Sequence, residues 1–275
     1  MHDNESKVAE HYGDPELLSR IIRGLEASGV ALDALGADDL APVEEFHIGG
    51  RRATAYAVDR MSLDGGQHVL DIGCGIGGAA RYIAANSACT VTGVDLTPEY
   101  VLIARRLTEM TGLGHKVGFE LASALDMPFE DGCFDAAISL HAAMNIHDRD
   151  ALYAEIARVM KPGGVFSLFD VMKKGGGPIR FPVPWAASEQ TSFLRTAQET
   201  VAVLEGAGFE VHEVTDRTDF ALAFFRETLA AARQGPPPLG VHLVMGASAP
   251  IKLRNTLMNI EDGRIGPVQM VARRR

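Results

Sequence analysis

From Gln67 onward the chain alternates two hydrophobic patterns. Short, nearly continuous apolar runs, "HVLDIG", "CTVTGVDL", "KVGFELA", "FDAAISL" and "VFSLFDV", predict strands. Between them lie "GGAARYIAAN", "PEYVLIARRLTEM" and "DRDALYAEIARVM", whose apolar positions recur every three to four residues and predict helices. Pro98 suits the first turn of the second helix, Asp148 or Asp150 can cap the third, and "KPGG" ends it. Strands that are apolar throughout, alternating with helices, imply a parallel sheet buried on both faces.

The remaining segments carry other patterns. Residues 5–61 read as helical, with Leu17, Leu18, Ile21, Ile22 and Leu25 on one stripe and Ala53, Ala57 and Met61 on another. Residues 172–188, "MKKGGGPIRFPVPWAAS", are too rich in Gly and Pro for helix or strand. Residues 190–275 return to helix, strand ("FEVHEVTD"), helix and a last strand, "RIGPVQMVA". The predicted organisation is a helical N-terminal cover over 1–61 and a core over 62–275 that carries the 172–188 insertion.

Composition narrows the function. A formal net charge of −10, with no dense basic stretch beyond Arg273-Arg274-Arg275, excludes nucleic acid as the expected partner. Cys74, Cys89 and Cys133 lack the paired spacing of a zinc site and are too few for a disulfide framework, so no metal is expected. "MHDNESKVAE" is polar, and no apolar run is long enough to span a bilayer; the expectation is a cytoplasmic protein without a membrane partner.

The densest chemistry is "VLDIGCGIGG", residues 69–78. Gly73, Gly75 and Gly78 satisfy the dinucleotide spelling, in which glycines allow a tight turn and close backbone approach. Asp71, immediately before the turn, argues against a pyrophosphate, which would be repelled by it, and suits a ligand bearing an ammonium and a sulfonium. Asp95, about 20 residues on, can accept both hydroxyls of a ribose in either case. A nicotinamide-dependent oxidoreductase is thus the rival reading, and it leaves Asp71 and the C-terminal helix and strand unexplained. A non-catalytic subunit that keeps the cofactor is the other.

With "VLDIGCGIGGAARYIA", "VTGVDLTPEY", "ALDMPFEDGCFDAAISLHAAMNIHD" and "EIARVMKPGGVFSLFDV" in this order, the chain resembles the class I S-adenosylmethionine-dependent methyltransferases of small-molecule type. Within that family it resembles the sarcosine/dimethylglycine and quinone-biosynthesis C-methyltransferase branches. The resemblance implies an α/β, Rossmann-like sheet of seven strands, mostly parallel, helices on both faces, the last strand antiparallel. It implies S-adenosyl-L-methionine as cofactor, with Gly73, Cys74, Gly75 and Gly77 against its methionine portion and Asp71 on its amino group. Asp95 would hold the ribose, Leu96 and Ser123-Ala124-Leu125 would flank the adenine, and Leu140 and His141 would pass beside the sulfonium. Ser123 stands where the family often carries Asp.

The acceptor is expected to be a small molecule with an apolar body, methylated on N, O or C. Its pocket is expected to draw on the N-terminal segment, the 172–188 insertion and "QGPPPLG" (234–240). Tyr12, Met144, Asn145, His147 and Trp185 are the candidate acceptor contacts, Met144 with a filler's side chain and Trp185 as an aromatic wall on a Pro-stiffened loop. His141 is the candidate base, since imidazole changes charge near neutral pH. His11 and His47 sit on the cover with no assigned part. The oligomeric state is left open by the sequence, with a homodimer as one candidate because cover helices in such enzymes often pair.

Overall fold

The computed structural model describes residues 3–232 and 235–275. Seven strands form one sheet: β1 (His68–Ile72), β2 (Thr90–Asp95), β3 (Val117–Leu121), β4 (Phe134–Leu140), β5 (Met160–Lys173), β6 (Phe209–Asp216) and β7 (Ile265–Arg274). Their order is β3-β2-β1-β4-β5-β7-β6. The first five pair in parallel, while β7 runs antiparallel to both β5 and β6.

Position in the sheet explains each strand's pattern. Central β1 is buried from Val69 onward, so both faces must be apolar. Edge strand β6 alternates, with only every second side chain turned inward, which is why "FEVHEVTD" reads differently from "FDAAISL".

Helices cover both faces. On one, α7 (Arg149–Val159) and α8 (Ala197–Gly206) set Leu152, Tyr153, Ile156 and Leu204 against Leu70, Ile72, Phe166 and Leu168. On the other, α4 (Arg51–Asp59), α5 (Gly78–Asn86) and α6 (Pro98–Met110) set Ala57, Ala80, Ile83, Val101 and Ala104 against Val69, Val91 and Ile138. Asp148 is the cap of α7, its Oδ1 accepting from Ala151 N at 2.9 Å.

The N-terminal helices divide differently from the stripes that predicted them. α1 (Asp3–Tyr12), α2 (Leu17–Ala27) and the short α3 (Ala41–Glu44) lie over the sheet's carboxyl end, where Leu17, Ile21 and Leu25 pack on Tyr100, Ile103 and Leu107 of α6. α4 belongs to the sheet layer instead: the buried Ser167 hydroxyl of β5 donates to its Ala57 carbonyl at 3.1 Å. Ala57 and Met61 of the apolar stripe therefore pack with strand residues, Ala53 is buried beside Gly49, and the cover ends near Gly50.

Residues 172–188 finish β5 and then run without helix or strand, as their Gly/Pro content predicts. α9 (Thr218–Ala232), α10 (His242–Met245) and α11 (Ala249–Glu261) complete the chain before β7. Among the described residues, no helix is long and apolar enough to cross a membrane.

Candidate cofactor and acceptor site

The strand order reverses direction at β1, whose neighbours β2 and β4 are wound to opposite sides, and ligands of open parallel sheets bind there, beyond the carboxyl ends. A cavity of about 510 Å³ opens at that place. The ends of β1, β2 and β4 line it through Asp71–Ile76, Asp95–Thr97 and Leu140–Ala142, and the cover closes it with α1 and residues 43–47.

The glycine turn is not built for a pyrophosphate. A phosphate site needs backbone amides that are bare. Here the Gly73 and Cys74 amides both donate to the Val94 carbonyl, at 2.9 and 3.0 Å. The Gly75 amide donates to Asp95 Oδ2 at 2.8 Å. With those amides committed, and carboxylates on either side, the cavity selects a cation over an anion.

Asp71 is 1% exposed and its Oδ2 has no hydrogen-bond partner in the protein. Burial, with the nearby Asp95 charge adding to it, pushes this carboxyl up to about 7. An enclosed acceptor atom facing a cavity calls for a donor from a ligand. Asp95 is half-buried, its Oδ1 accepting from Thr97 N at 2.9 Å, and burial raises its pKa.

Of the residues expected on the cofactor, Asp71, Gly73, Cys74, Gly75, Asp95, Leu96, Ser123, Ala124, Leu125, Leu140 and His141 all line the cavity. Gly73 has φ +71°, and a Cβ there would lie 2.3 Å from that of Ala142. The Cys74 side chain is buried and packs close to Gly93, and burial raises its thiol's pKa, which suits packing rather than nucleophilic chemistry. Ser123 Oγ donates to the Glu5 carboxylate of α1, and accepts from Leu125 N at 3.1 Å.

Gly77 does not line the cavity. It is the left-handed cap of α5, φ +89°, pressed between Phe119 and Arg81, so its role is in packing. In Gly77→Ala the new Cβ would come within 2.7 Å of Phe119 Cζ and 2.8 Å of Arg81 Nη1. The variant should lose about 3 kcal/mol of stability by chemical denaturation, from overpacking plus the left-handed backbone.

On the acceptor side, Tyr12, Asn145 and His147 reach the cavity. Tyr12 Oη donates to Asn145 Oδ1 at 3.1 Å, tying α1 to the loop after β4. His147 is exposed, at the mouth. Met144 and Trp185 do not line it. Both are buried behind it in a cluster with Ile48, Val171 and Val183, and Trp185 Nε1 donates to Ser192 Oγ at 2.9 Å. Trp185 thus anchors its loop: its carbonyl accepts from Asn145 Nδ2 at 2.8 Å, and the His11 ring lies 3.1 Å from the Pro184 carbonyl. Among the described residues, none of 172–188 and none of 235–240 lines the cavity, and Gln234 lies outside the described residues; Val244 of α10 takes that place. The reason is physical: the insertion's apolar residues are satisfied by the core behind Met144.

His141 sits at φ +54° as the chain leaves β4, its ring stacked on Phe169 with centroids 5.0 Å apart. Its Nε2 is enclosed without a partner, and burial holds its pKa well below the ordinary imidazole range. Glu44 and Glu45 carried no expectation from the sequence, and with His47, named there only as a cover residue, they form a further polar group in "EEFHIGGRR". Two adjacent acids before a His and a Gly pair, in an apolar cover, were the available signal. Glu44 pairs with Arg81 and Arg51, while Glu45 and His47 converge on Thr54.

Comparison with known proteins fits this geometry. Residues 70–168 match the family described as methyltransferase domain. The chain is 30% identical over 184 residues to methyltransferase GfsG of Streptomyces halstedii, covering 65% of each. The chain spans less than two thirds of the curated relatives it first matches, at 65%, 66% and 56% of their lengths. Among solved structures, the cyclase SpnF superposes with a TM-score of 0.70 at 25% identity, over 98% of this chain and 96% of that one. Phosphoethanolamine N-methyltransferase 2 of Haemonchus contortus, solved with S-adenosylhomocysteine, gives 0.72 at 22% identity, over 83% and 53%. The sheet and its switch-point cavity are those of a Rossmann-like methyltransferase fold. Over residues 70–168 the chain carries a methyltransferase domain similar to those of S-adenosylmethionine-dependent enzymes, whose cofactor is one the cavity's acidic lining fits.

Proposed function

We propose that the protein transfers a methyl group from S-adenosylmethionine to a small-molecule acceptor. The observation that carries this is the unpartnered, buried Asp71 Oδ2 beside a turn whose amides are already committed. Asp71 would take the cofactor's ammonium, Asp95 the ribose hydroxyls, and Leu96 with Ser123–Leu125 the adenine. When bound, the cofactor supplies an electrophilic methyl on sulfur.

This chain's own residues bind, orient and exclude water, and most of the rate can come from that alignment. The cover as far as Phe46, with α1 tied down by Tyr12–Asn145 and by Glu5–Ser123, closes the cavity over the acceptor. His141, neutral at working pH with its Nε2 enclosed, walls the reacting centre.

Asp71 gives a pH signature. The bound ammonium favours the carboxylate, so cofactor affinity rises as pH climbs through about 7 and falls as Asp71 takes its proton below it. Calorimetric titration with S-adenosylhomocysteine should show about tenfold tighter binding at about pH 8 than at about pH 6. Asp71→Asn should bind more weakly and lose most of that slope, keeping only what Glu45 contributes; an unchanged slope in that variant would refute the assignment. Because the cyclase SpnF shares the fold, the activity test must follow the methyl group itself: label from S-adenosylmethionine should appear on an added phenol, amine or quinone precursor.

A further inference from the structure

We propose that His47 is the base that takes the acceptor's proton, and that the acceptor is an uncharged small molecule bearing an acidic hydroxyl, a phenol or an enol. The proposal rests on the methyl-transfer reading above.

The tautomer of His47 follows from its neighbours. Thr54 Oγ1 lies 2.5 Å from Glu45 Oε2 and 3.0 Å from His47 Nε2. A hydroxyl has one proton to give, and a carboxylate can only accept. Thr54 therefore donates to Glu45, and its oxygen accepts from His47 Nε2–H. That leaves the lone pair on Nδ1. No hydrogen bond within the described protein uses Nδ1, and the ring lines the cavity beside His141, centroids 5.8 Å apart.

The charge around the ring matches a base at work. Glu45 Oε2 is 3.6 Å from Nε2, placed to offset the charge of an imidazolium. The other groups facing this corner are Arg51, whose Nε is 3.1 Å from Glu45 Oε1, Glu44, Arg81 and the neutral His141. Burial, with Arg51 adding, lowers His47 to about 4, so it rests neutral with a free lone pair. Burial raises Glu45 to about 7, so the chain Glu45–Thr54–His47 is set above that pH.

The lining also limits the acceptor. Among the described residues, the cavity's carboxyl side chains are Glu5, Glu44, Glu45, Asp71, Asp95 and Asp148, and no Lys or Arg lines it. A phosphorylated or carboxylate-bearing acceptor would meet only like charge. A protonated amine would be held as the ammonium, without the lone pair it needs, and a neutral amine needs no base. A hydroxyl uses the relay fully. Its O–H proton passes to Nδ1, the freed pair forms the O–CH3 bond, the C–S bond breaks with its electrons left on sulfur, and the imidazolium proton returns to solvent. The positive charge has moved from sulfur to a ring beside Glu45.

The test uses the full chain saturated with S-adenosylhomocysteine at about pH 8, comparing phenol, which keeps its proton at that pH, with anisole, which lacks it. Wild type should bind the phenol about tenfold tighter, the worth of one hydrogen bond to a buried acceptor. His47→Ala should bind both equally while keeping its S-adenosylhomocysteine affinity, and should lose about 100-fold in kcat/KM on any phenol the wild type methylates. Thr54 is a positioning residue: Thr54→Val frees the ring to reverse its tautomer and should erase the discrimination, and Thr54→Ser should restore it. Equal binding of both probes to wild type, no binding of either, or discrimination that survives in His47→Ala would overturn the proposal. Failure of S-adenosylhomocysteine itself to bind would instead overturn the methyl-transfer reading, and this proposal with it.

Discussion

Replacing Glu44 by Gln should destabilise the protein by about 3–5 kcal/mol, the usual result of leaving a buried charge without its partner. Arg81 is fully buried, and its guanidinium donates to Glu44 Oε2 at 2.5 Å from Nη2 and 3.2 Å from Nε. The same guanidinium also holds the Ile76 carbonyl at 2.6 Å, the Ala104 carbonyl at 3.2 Å and Thr108 Oγ1 at 2.8 Å. One cation thus joins the glycine turn, α6 and the cover. Gln keeps the volume and one acceptor but removes the charge, and Arg51, 2.9 Å from Glu44, loses a partner too. Urea denaturation should report the loss as a lower midpoint with an unchanged slope. A loss under about 1 kcal/mol would mean that water reaches Arg81 in solution.

Asp95→Ala should weaken S-adenosylhomocysteine binding about 10²- to 10⁴-fold. A carboxylate holding two ribose hydroxyls contributes two hydrogen bonds to a charged acceptor, each worth about 1.5–3 kcal/mol. The loss should be larger than the sum of ribose contacts alone, because Asp95 also fixes the turn through Gly75 and the start of α6 through Thr97. Asp95→Asn, which can still accept at one oxygen, should fall between. Calorimetry on both variants separates the two contributions, and affinity within fivefold of wild type in Asp95→Ala would remove it from the ribose site.

The parallel core was legible because each central strand is buried on both faces, which leaves an apolar run no other reading. The cofactor side was legible for a related reason: glycines and acids at strand ends are set by local geometry, so Asp71, Gly73, Gly75 and Asp95 announce themselves. What could not be read was which surface an apolar stripe meets. Ala57 and Met61 look like part of any amphipathic helix, and only the structure shows them on the sheet. Trp185 failed similarly: an aromatic in a Pro-rich loop can wall a pocket or plug a core, and the cluster behind Met144 took it. Gly77 shares the spelling of the turn but serves α5, since its neighbours Phe119 and Arg81 come from distant sequence. Glu45, Thr54 and His47 are spaced too irregularly to signal a relay until the backbone at Gly49 and Gly50 folds them together.

The most direct test is a calorimetric titration of the full chain with S-adenosylhomocysteine, with NADH as the alternative ligand. The account predicts one S-adenosylhomocysteine per chain, bound with a dissociation constant on the order of micromolar, and no heat from NADH. Tight NADH binding with no S-adenosylhomocysteine binding would contradict it.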